Sequence, residues 1–152
     1  GVSFSKTRLR FKLGKIKILS KLINSSFPDY ESVIPKDNDQ IMEVDCKSFS
    51  DTIDRVSTIS SEKFRTVKFD ISNNSCVVSS FGADKSLGTE SIDVNYQGSE
   101  FSINFNAKYI LDVLNLIKEG KVKFYFSKDT APTILESDSL KNAIFLIMQM
   151  RA

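Results

Sequence analysis

The chain has 152 residues, 41% of them hydrophobic and 26% charged, with a formal net charge of +2 and no histidine at all. Such a composition fits a soluble globular chain of one ordinary domain plus a little extra, and so small a net charge does not by itself announce a nucleic-acid binder. The lack of histidine removes Ser-His-Asp and Cys-His catalysis, most transition-metal sites and the commonest general base.

Other exclusions follow from what the sequence does not spell. There is no GxxxxGK[ST] phosphate loop and no GxGxxG turn, and no apolar run approaches the roughly 20 residues that cross a bilayer. Asp51, Asp54, Asp112 and Glu136 read as solvated charges rather than as an acid/base pair. No enzyme, cofactor, metal or membrane contact is expected. Cys46 and Cys76 are too few to form a disulfide scaffold and read as reduced thiols, one near a helix start and one in a strand.

In chain order, residues 7–22 predict a β-hairpin. Leu9, Phe11 and Leu13 alternate with Arg8, Arg10 and Lys12, and Ile16 and Ile18 alternate with Lys15 and Lys17. Gly14-Lys15 is a two-residue connection whose glycine can take the positive φ of a type II′ turn. A lone hairpin is marginal in water, so this one must pack on something, and it reads as the trailing edge of a larger domain. Ile23 to Asp39 holds two of the three prolines together with several Asn and Asp residues, which predicts an irregular crossing segment. Ile41–Val44 is a short strand. Asp45 caps a helix from Cys46 to about Ile59, with Phe49, Ile53 and Val56 as its apolar stripe.

Strands are expected near 65–71 and 75–80 around an Asn73-Asn74 turn, then a polar loop over 82–90. A second hairpin is expected from strand Ser91–Tyr96, turn Gln97-Gly98 and strand Glu100–Phe105. Asn106 caps a second helix that runs to about Lys118, with Ile110, Leu114 and Ile117 inward and Glu119-Gly120 stopping it. Strands at 121–126, 132–136 and 143–149 complete the chain.

Residues 42–71 and 103–126 repeat one pattern. Glu43-Val44-Asp45-Cys46-Lys47 falls on Asn104-Phe105-Asn106-Ala107-Lys108, and Phe49, Asp51, Ile53 and Val56 fall on Ile110, Asp112, Leu114 and Ile117. After each helix a strand opens with the same tripeptide, Val67-Lys68-Phe69 and Val122-Lys123-Phe124. The expected fold class is α+β: duplicated β-α-β units with two helices on one face of antiparallel sheets. A duplicated module of this kind suits a scaffold or ring segment better than one asymmetric active site.

Four separated segments carry a family resemblance. They are Ser20-Lys21-Leu22 leading to Phe27-Pro28-Asp29-Tyr30 and Val33-Ile34-Pro35-Lys36; Ile59 to Arg65; Phe105 to Asp112; and Met148-Gln149-Met150-Arg151. In this order and spacing they resemble the C-terminal third of the bacterial β sliding clamp, the processivity factor of the replicative DNA polymerase. The resemblance implies a DNA-clamp fold, with residues 1–30 as the trailing hairpin and linker of the clamp's middle domain and 31–152 as its third domain. It implies a ring of two protomers that encircles double-stranded DNA without reading sequence, in the bacterial cytoplasm, and that recruits the replicative polymerase and clamp-loader subunits through short peptides. A stand-alone protein–protein interaction domain that never encircles DNA is the competing reading.

The resemblance also implies three sets of residues. The partner-peptide groove comprises Pro28, Ser32, Val33, Asn106, Tyr109, Thr130, Pro132, Leu146, Met148, Gln149, Met150 and Arg151. Flexible methionines suit a groove that must accept several peptides, although Leu146 and Met148 would also serve as strand core. Gln149 stands where the family usually has proline and Ser32 where an arginine is often found. Lys47, Arg55 and Lys108 are expected to face the phosphate backbone. Thr58, Ile59, Asp84 and Glu90 are expected at the ring interface, with Ile59 alternatively closing the core of its helix.

Overall fold

The basic and apolar alternation over 8–21 builds the expected hairpin. β2 (Arg8–Leu13) pairs antiparallel with β3 (Ile16–Lys21), in register from Arg8↔Lys21 to Leu13↔Ile16. Gly14 turns the chain at φ +57°, the conformation required at the first position of a II′ loop. A third strand, β1 (Val2–Phe4), adds to β2 through Val2↔Phe11 and Phe4↔Leu9 and was not anticipated. The computed structural model describes residues 1–60, 65–127 and 131–150. The chain divides into two compact units, Gly1–Tyr30 and Glu31–Ala152.

The first unit is a three-stranded sheet in the order β1-β2-β3. Its register puts Val2, Phe4, Leu9, Phe11, Leu13, Ile16 and Ile18 on one face and the basic residues on the other. Large side chains on that apolar face are exposed, Phe4 at 82% and Leu13 at 79%.

In the second unit one order of elements occurs twice. The first run is β4 (Gln40–Asp45), α1 (Cys46–Ser57), β5 (Thr66–Ser72), β6 (Ser75–Phe81) and β7 (Leu87–Asp93). The second is β8 (Phe101–Asn106), α2 (Ala107–Ile117), β9 (Lys121–Phe126), β10 (Thr133–Ser137) and β11 (Phe145–Ile147). They form two four-stranded antiparallel sheets, β11-β10-β9-β4 and β7-β6-β5-β8. Each run therefore gives its first strand to the other's sheet, and swapping the runs turns one sheet order into the other.

The duplication extends to single bonds. Val44 pairs with Val122 and its counterpart Phe105 pairs with Val67. The Cys46 N–H donates to Gly120 O at 2.8 Å, and the matching Ala107 N–H donates to Arg65 O at 2.8 Å. Both acceptors have left-handed backbones, Gly120 at φ +81° and Arg65 at +36°. Bridges Glu43↔Asn95 and Asn104↔Met150 are another matched pair. So are the buried hydroxyls of Ser80 and Ser137, which donate to Thr66 O at 2.8 Å and Lys121 O at 2.7 Å.

The helices begin where the sequence places them. The Asp45 carboxylate accepts from the Ser48 N–H at 2.9 Å, and the Asn106 side-chain oxygen accepts from the Lys108 N–H at 3.0 Å. Such caps are worth about 1 kcal/mol each. The Ser48 bonds hold the Asp45 carboxyl below its ordinary value. α1 buries Phe49, Ile53 and Val56, and α2 buries Ile110, Val113, Leu114 and Ile117.

Five phenylalanines close a cycle at the centre of the core: Phe49–Phe69 (5.2 Å between ring centroids), Phe69–Phe105 (5.4 Å), Phe105–Phe126 (6.5 Å), Phe126–Phe124 (5.9 Å) and Phe124–Phe49 (5.4 Å). All five are fully buried. The cycle joins α1 to β5 and β8 of one sheet and to β9 of the other.

The predicted hairpin of 91–96 with 100–105 does not form. β7 starts at Leu87, inside the segment expected to be loop, and pairs with β6; β8 pairs with β5 at the opposite edge. The reason is local: Gly82 N–H donates to Ser86 O at 2.9 Å, Asp84 accepts from the Ser86 N–H at 3.0 Å, and Lys85 takes φ +68°. That tight turn returns the chain at once, leaving 94–100 as a crossover between sheet edges. Tyr96, 1% exposed, anchors the crossover by donating to Gln40 Oε1 at 2.8 Å and Ser99 O at 2.7 Å. α1 ends at Ser57 with Thr58 as its cap, short of Ile59.

Candidate functional site

The C-terminal segment carries four of the expected groove residues, Leu146, Met148, Gln149 and Met150. β11 pairs with β10 through Ile134↔Leu146 and Thr133↔Ile147, and the chain then leaves that sheet for the other one. The Met150 N–H donates to Asn104 O of β8 at 2.8 Å, two residues before the α2 cap Asn106. The Gln149 amide reaches Ala131 O at 3.5 Å, and the Met150 sulfur lies 3.7 Å from the Thr66 hydroxyl. Leu146, Gln149 and Met150 are half-buried, and the inward position belongs to Ile147 at 5% exposed. Met148 faces out at 63%, so it is not strand core. On the first turn of α2, Tyr109 is 58% exposed.

Ser32 and Val33 sit in a single 3-10 turn, Glu31–Val33, with Val33 57% exposed. Asn38 ties the following segment down by donating to Tyr125 O and Pro132 O, each at 2.9 Å. Pro28 is exposed in the first unit. Thr130 and Arg151 lie outside the described residues. A cavity of about 280 Å³ along β8, lined by Gln40, Phe101, Ile103, Ser127 and Gln149 among others, shares only Gln149 with the groove set.

Of the three expected DNA-facing cations, one is committed elsewhere. Arg55 donates to Glu90 from Nε at 3.1 Å and from Nη2 at 2.6 Å, and Thr52 donates to the same carboxylate at 3.0 Å. The sequence reading set Arg55 and Glu90 on different surfaces; the structure makes them partners that tie α1 to β7. Their separation of 35 residues hid the pair from any local pattern. Lys47 bonds Asp51 at 3.2 Å, one helical turn on, and is itself 74% exposed. Lys108 is exposed and forms no ion pair among the described residues.

The Arg55 hydrogen bond holds the Glu90 carboxyl below the ordinary glutamate value of 4.5, and Glu90 raises Arg55 in return. A depressed carboxylate stabilises the fold above its unfolded value, and that contribution is lost as pH falls through the folded one. Thermal melts of the parent and Glu90→Gln, compared from neutral pH to below pH 4.5, should therefore converge on the acid side. Curves that stay parallel down to pH 3 would show that the charge on Glu90 does not account for the difference.

The remaining interface candidates cluster at one edge. β7 is one of the two edge strands of its sheet. Thr58 caps α1, its hydroxyl donating to Arg55 O at 2.5 Å. Ile59 is 37% exposed and lies over Gly88, where a Cβ would come within 2.7 Å of the Ile59 Cδ1. Ile59 thus lies over the strand edge beyond the helix rather than closing the helix core. Phe81 (65% exposed) and Leu87 (55%) pair across the turn and add apolar surface that the sequence reading missed. The available signal was two large apolar residues bracketing a polar turn. Asp84 spends its carboxylate inside that turn, held below its ordinary value by Ser86.

Both cysteines are buried and free, and burial pushes the Cys76 thiol up to about 12. They are packing residues at neutral pH. Among the described residues no helix is long and apolar enough to cross a membrane.

Comparison with known proteins agrees with this architecture. The family described as DNA polymerase III beta subunit, C-terminal domain, matches residues 31–151. The chain is 34% identical over 147 residues to a beta sliding clamp of Caulobacter vibrioides, covering 97% of this chain and 40% of that protein. It is 31% identical over 150 residues to the beta sliding clamp of Escherichia coli K12, covering 99% of this chain and 41% of that one. A solved Caulobacter crescentus pol III beta superposes with a TM-score of 0.90 at 33% identity, over 99% of this chain and 41% of the other. The Pseudomonas aeruginosa DNA polymerase III subunit beta superposes at 0.88 and 26% identity, over 99% and 41%. The chain thus spans about two fifths of the length of these relatives. On its sequence match, its doubled β-α-β-β-β order and its superposition, the chain belongs to the DNA polymerase III beta subunit family, in the part that carries the C-terminal domain.

Proposed function

We propose that the full-length protein is a processivity factor: a ring of two protomers that encircles duplex DNA and tethers the polymerase by topology rather than by affinity. The observation that supports this reading is the doubled half-module, in a chain that superposes on a solved pol III beta at a TM-score of 0.90 over 99% of its length. Residues 31–152 act as the third clamp domain. Residues 1–30 act as the end of the middle domain, which accounts for the open apolar face of the β1-β2-β3 sheet. No catalytic step is assigned to it. It acts in the bacterial cytoplasm, on DNA of any sequence, with Lys47 and Lys108 offering mobile charge to phosphates.

Ring closure is assigned to the β7 edge. An unpaired strand edge flanked by Ile59, Phe81 and Leu87 is a surface prepared to receive another strand. The acid expected there is reduced, because Glu90 is tied to Arg55 and Asp84 to its own turn. Apolar contact and strand pairing therefore take the larger share of closure. The groove around Met148, Met150 and Tyr109 is assigned to short peptides of the polymerase and clamp loader.

The experiment is retention on circular DNA. Full-length protein loaded on a nicked circle should stay through gel filtration and leave once the circle is cut. The 152-residue chain alone should sediment as monomer or weak self-associate and should not be retained. Equal retention on circular and linear DNA would defeat the ring and favour an interaction domain that never encircles DNA.

A further inference from the structure

The first unit carries a surface that the clamp reading does not use. Seven of the 21 Lys and Arg residues, and none of the 19 Asp and Glu, lie within residues 1–28. The near-neutral net charge of the chain conceals this, because the remainder carries an excess of acid.

The β2–β3 register sorts five of those cations onto one face. Arg8 stands opposite Lys21, Lys12 opposite Lys17, and Arg10 opposite Leu19. All are exposed, and none of the seven forms an ion pair among the described residues. Among the described residues the Arg10 side chain donates to the Ser3 hydroxyl alone, at 3.1 Å. Like charges directly opposite on neighbouring strands destabilise a sheet, and here two of six cross-strand pairs do so. The sheet bears that repulsion on the face it can leave in water, since its other face is apolar and has to be covered.

We propose that this basic sheet face binds the phosphate backbone of nucleic acid, without regard to sequence, as a contact additional to the clamp's helices. An acidic peptide is the weaker fit. Peptide docking draws on apolar anchors, and Leu19 is the only large apolar side chain on this face. A polyanion needs charge alone, and it relieves the two repulsive pairs as it binds. The inference does not depend on ring closure.

The test uses the full-length protein with Lys17→Glu and Lys21→Glu combined. Each substitution places a carboxylate opposite a cation, Lys12 or Arg8, so the thermal midpoint should hold or rise. A second variant, Lys17→Gln with Lys21→Gln, removes charge without creating new pairs. The probes are a short blunt-ended duplex and a single strand of equal length, followed by fluorescence anisotropy at about 50 to 200 mM salt. Both variants should bind at least one probe on the order of tenfold more weakly, with a salt dependence shallower by about two phosphate contacts. The probe that shows the loss identifies which form of nucleic acid the face takes.

Unchanged affinity for both probes in both variants would overturn the proposal. So would polyglutamate binding the parent as tightly as either nucleic acid does and losing affinity equally in the variants. Retention on circular DNA should be untouched, so failure here is distinguishable from failure of the ring.

Discussion

Phe105→Ala is expected to destabilise the second unit by about 3–5 kcal/mol, the range for emptying a fully buried aromatic site. Phe105 touches Phe69 at 5.4 Å and Phe126 at 6.5 Å between centroids, so alanine breaks the five-ring cycle where the two sheets meet. The backbone there cannot settle into the gap. β8 is pinned to β5 by its ladder, and the Cα pair Val67↔Phe105 is the counterpart of Val44↔Val122 across the duplication. Removing one ring therefore strains a junction that both halves share. Phe81→Ala is the control, since that side chain is 65% exposed and its loss should leave stability nearly unchanged. Urea unfolding of both variants against the parent measures the difference. A Phe105→Ala cost under 1 kcal/mol would mean that the cycle is loosely packed.

What the sequence disclosed and what it hid divide along the range of the interactions. Helix starts were legible because a cap acts over three residues: Asp45 and Asn106 each bond an N–H within that reach. The repeat was legible because it reuses one cap position and one Val-Lys-Phe strand opening. Strand exchange between the halves was not. β4 and β9 lie far apart in sequence, and periodicity reports a face, not a partner. The β7 start was missed for a different reason. Leu87-Gly88-Thr89-Glu90 lacks alternation, yet Gly88 is required where Ile59 lies over the strand. β1 was missed because three residues are too few to show any period. The groove residues come from separate stretches of the chain, so only the family resemblance suggested them as a set. The Arg55–Glu90 pair was beyond either route, and it changes the reading of both residues.

Removing Tyr109 and Met148 together should abolish most peptide binding while leaving the fold intact. Both are large side chains held in water, at 58% and 63% exposure, which leaves them little part in the core. Tyr109 is the third residue of α2, whose start is fixed by the Asn106 cap, and Met148 lies two residues before the Met150 bond to Asn104. Both positions thus have a hydrogen-bonded backbone close by and an exposed side chain, which suits a groove accepting more than one aliphatic anchor. An anchor burying roughly 100 Å² against these two side chains would gain about 2.5 kcal/mol at 25 cal/mol/Å². Its loss corresponds to tens of times in affinity. The measurement pairs calorimetric titration of the full-length Tyr109→Ala, Met148→Ala protein against a polymerase-derived peptide with its thermal midpoint and its retention on circular DNA. Peptide affinity should fall by tens of times while the midpoint moves by no more than a few degrees and retention persists. If affinity is kept, the groove is elsewhere, and the cavity along β8 with Gln149 at its rim becomes the next place to probe. A midpoint collapse with unchanged affinity in the surviving fold would make these side chains structural.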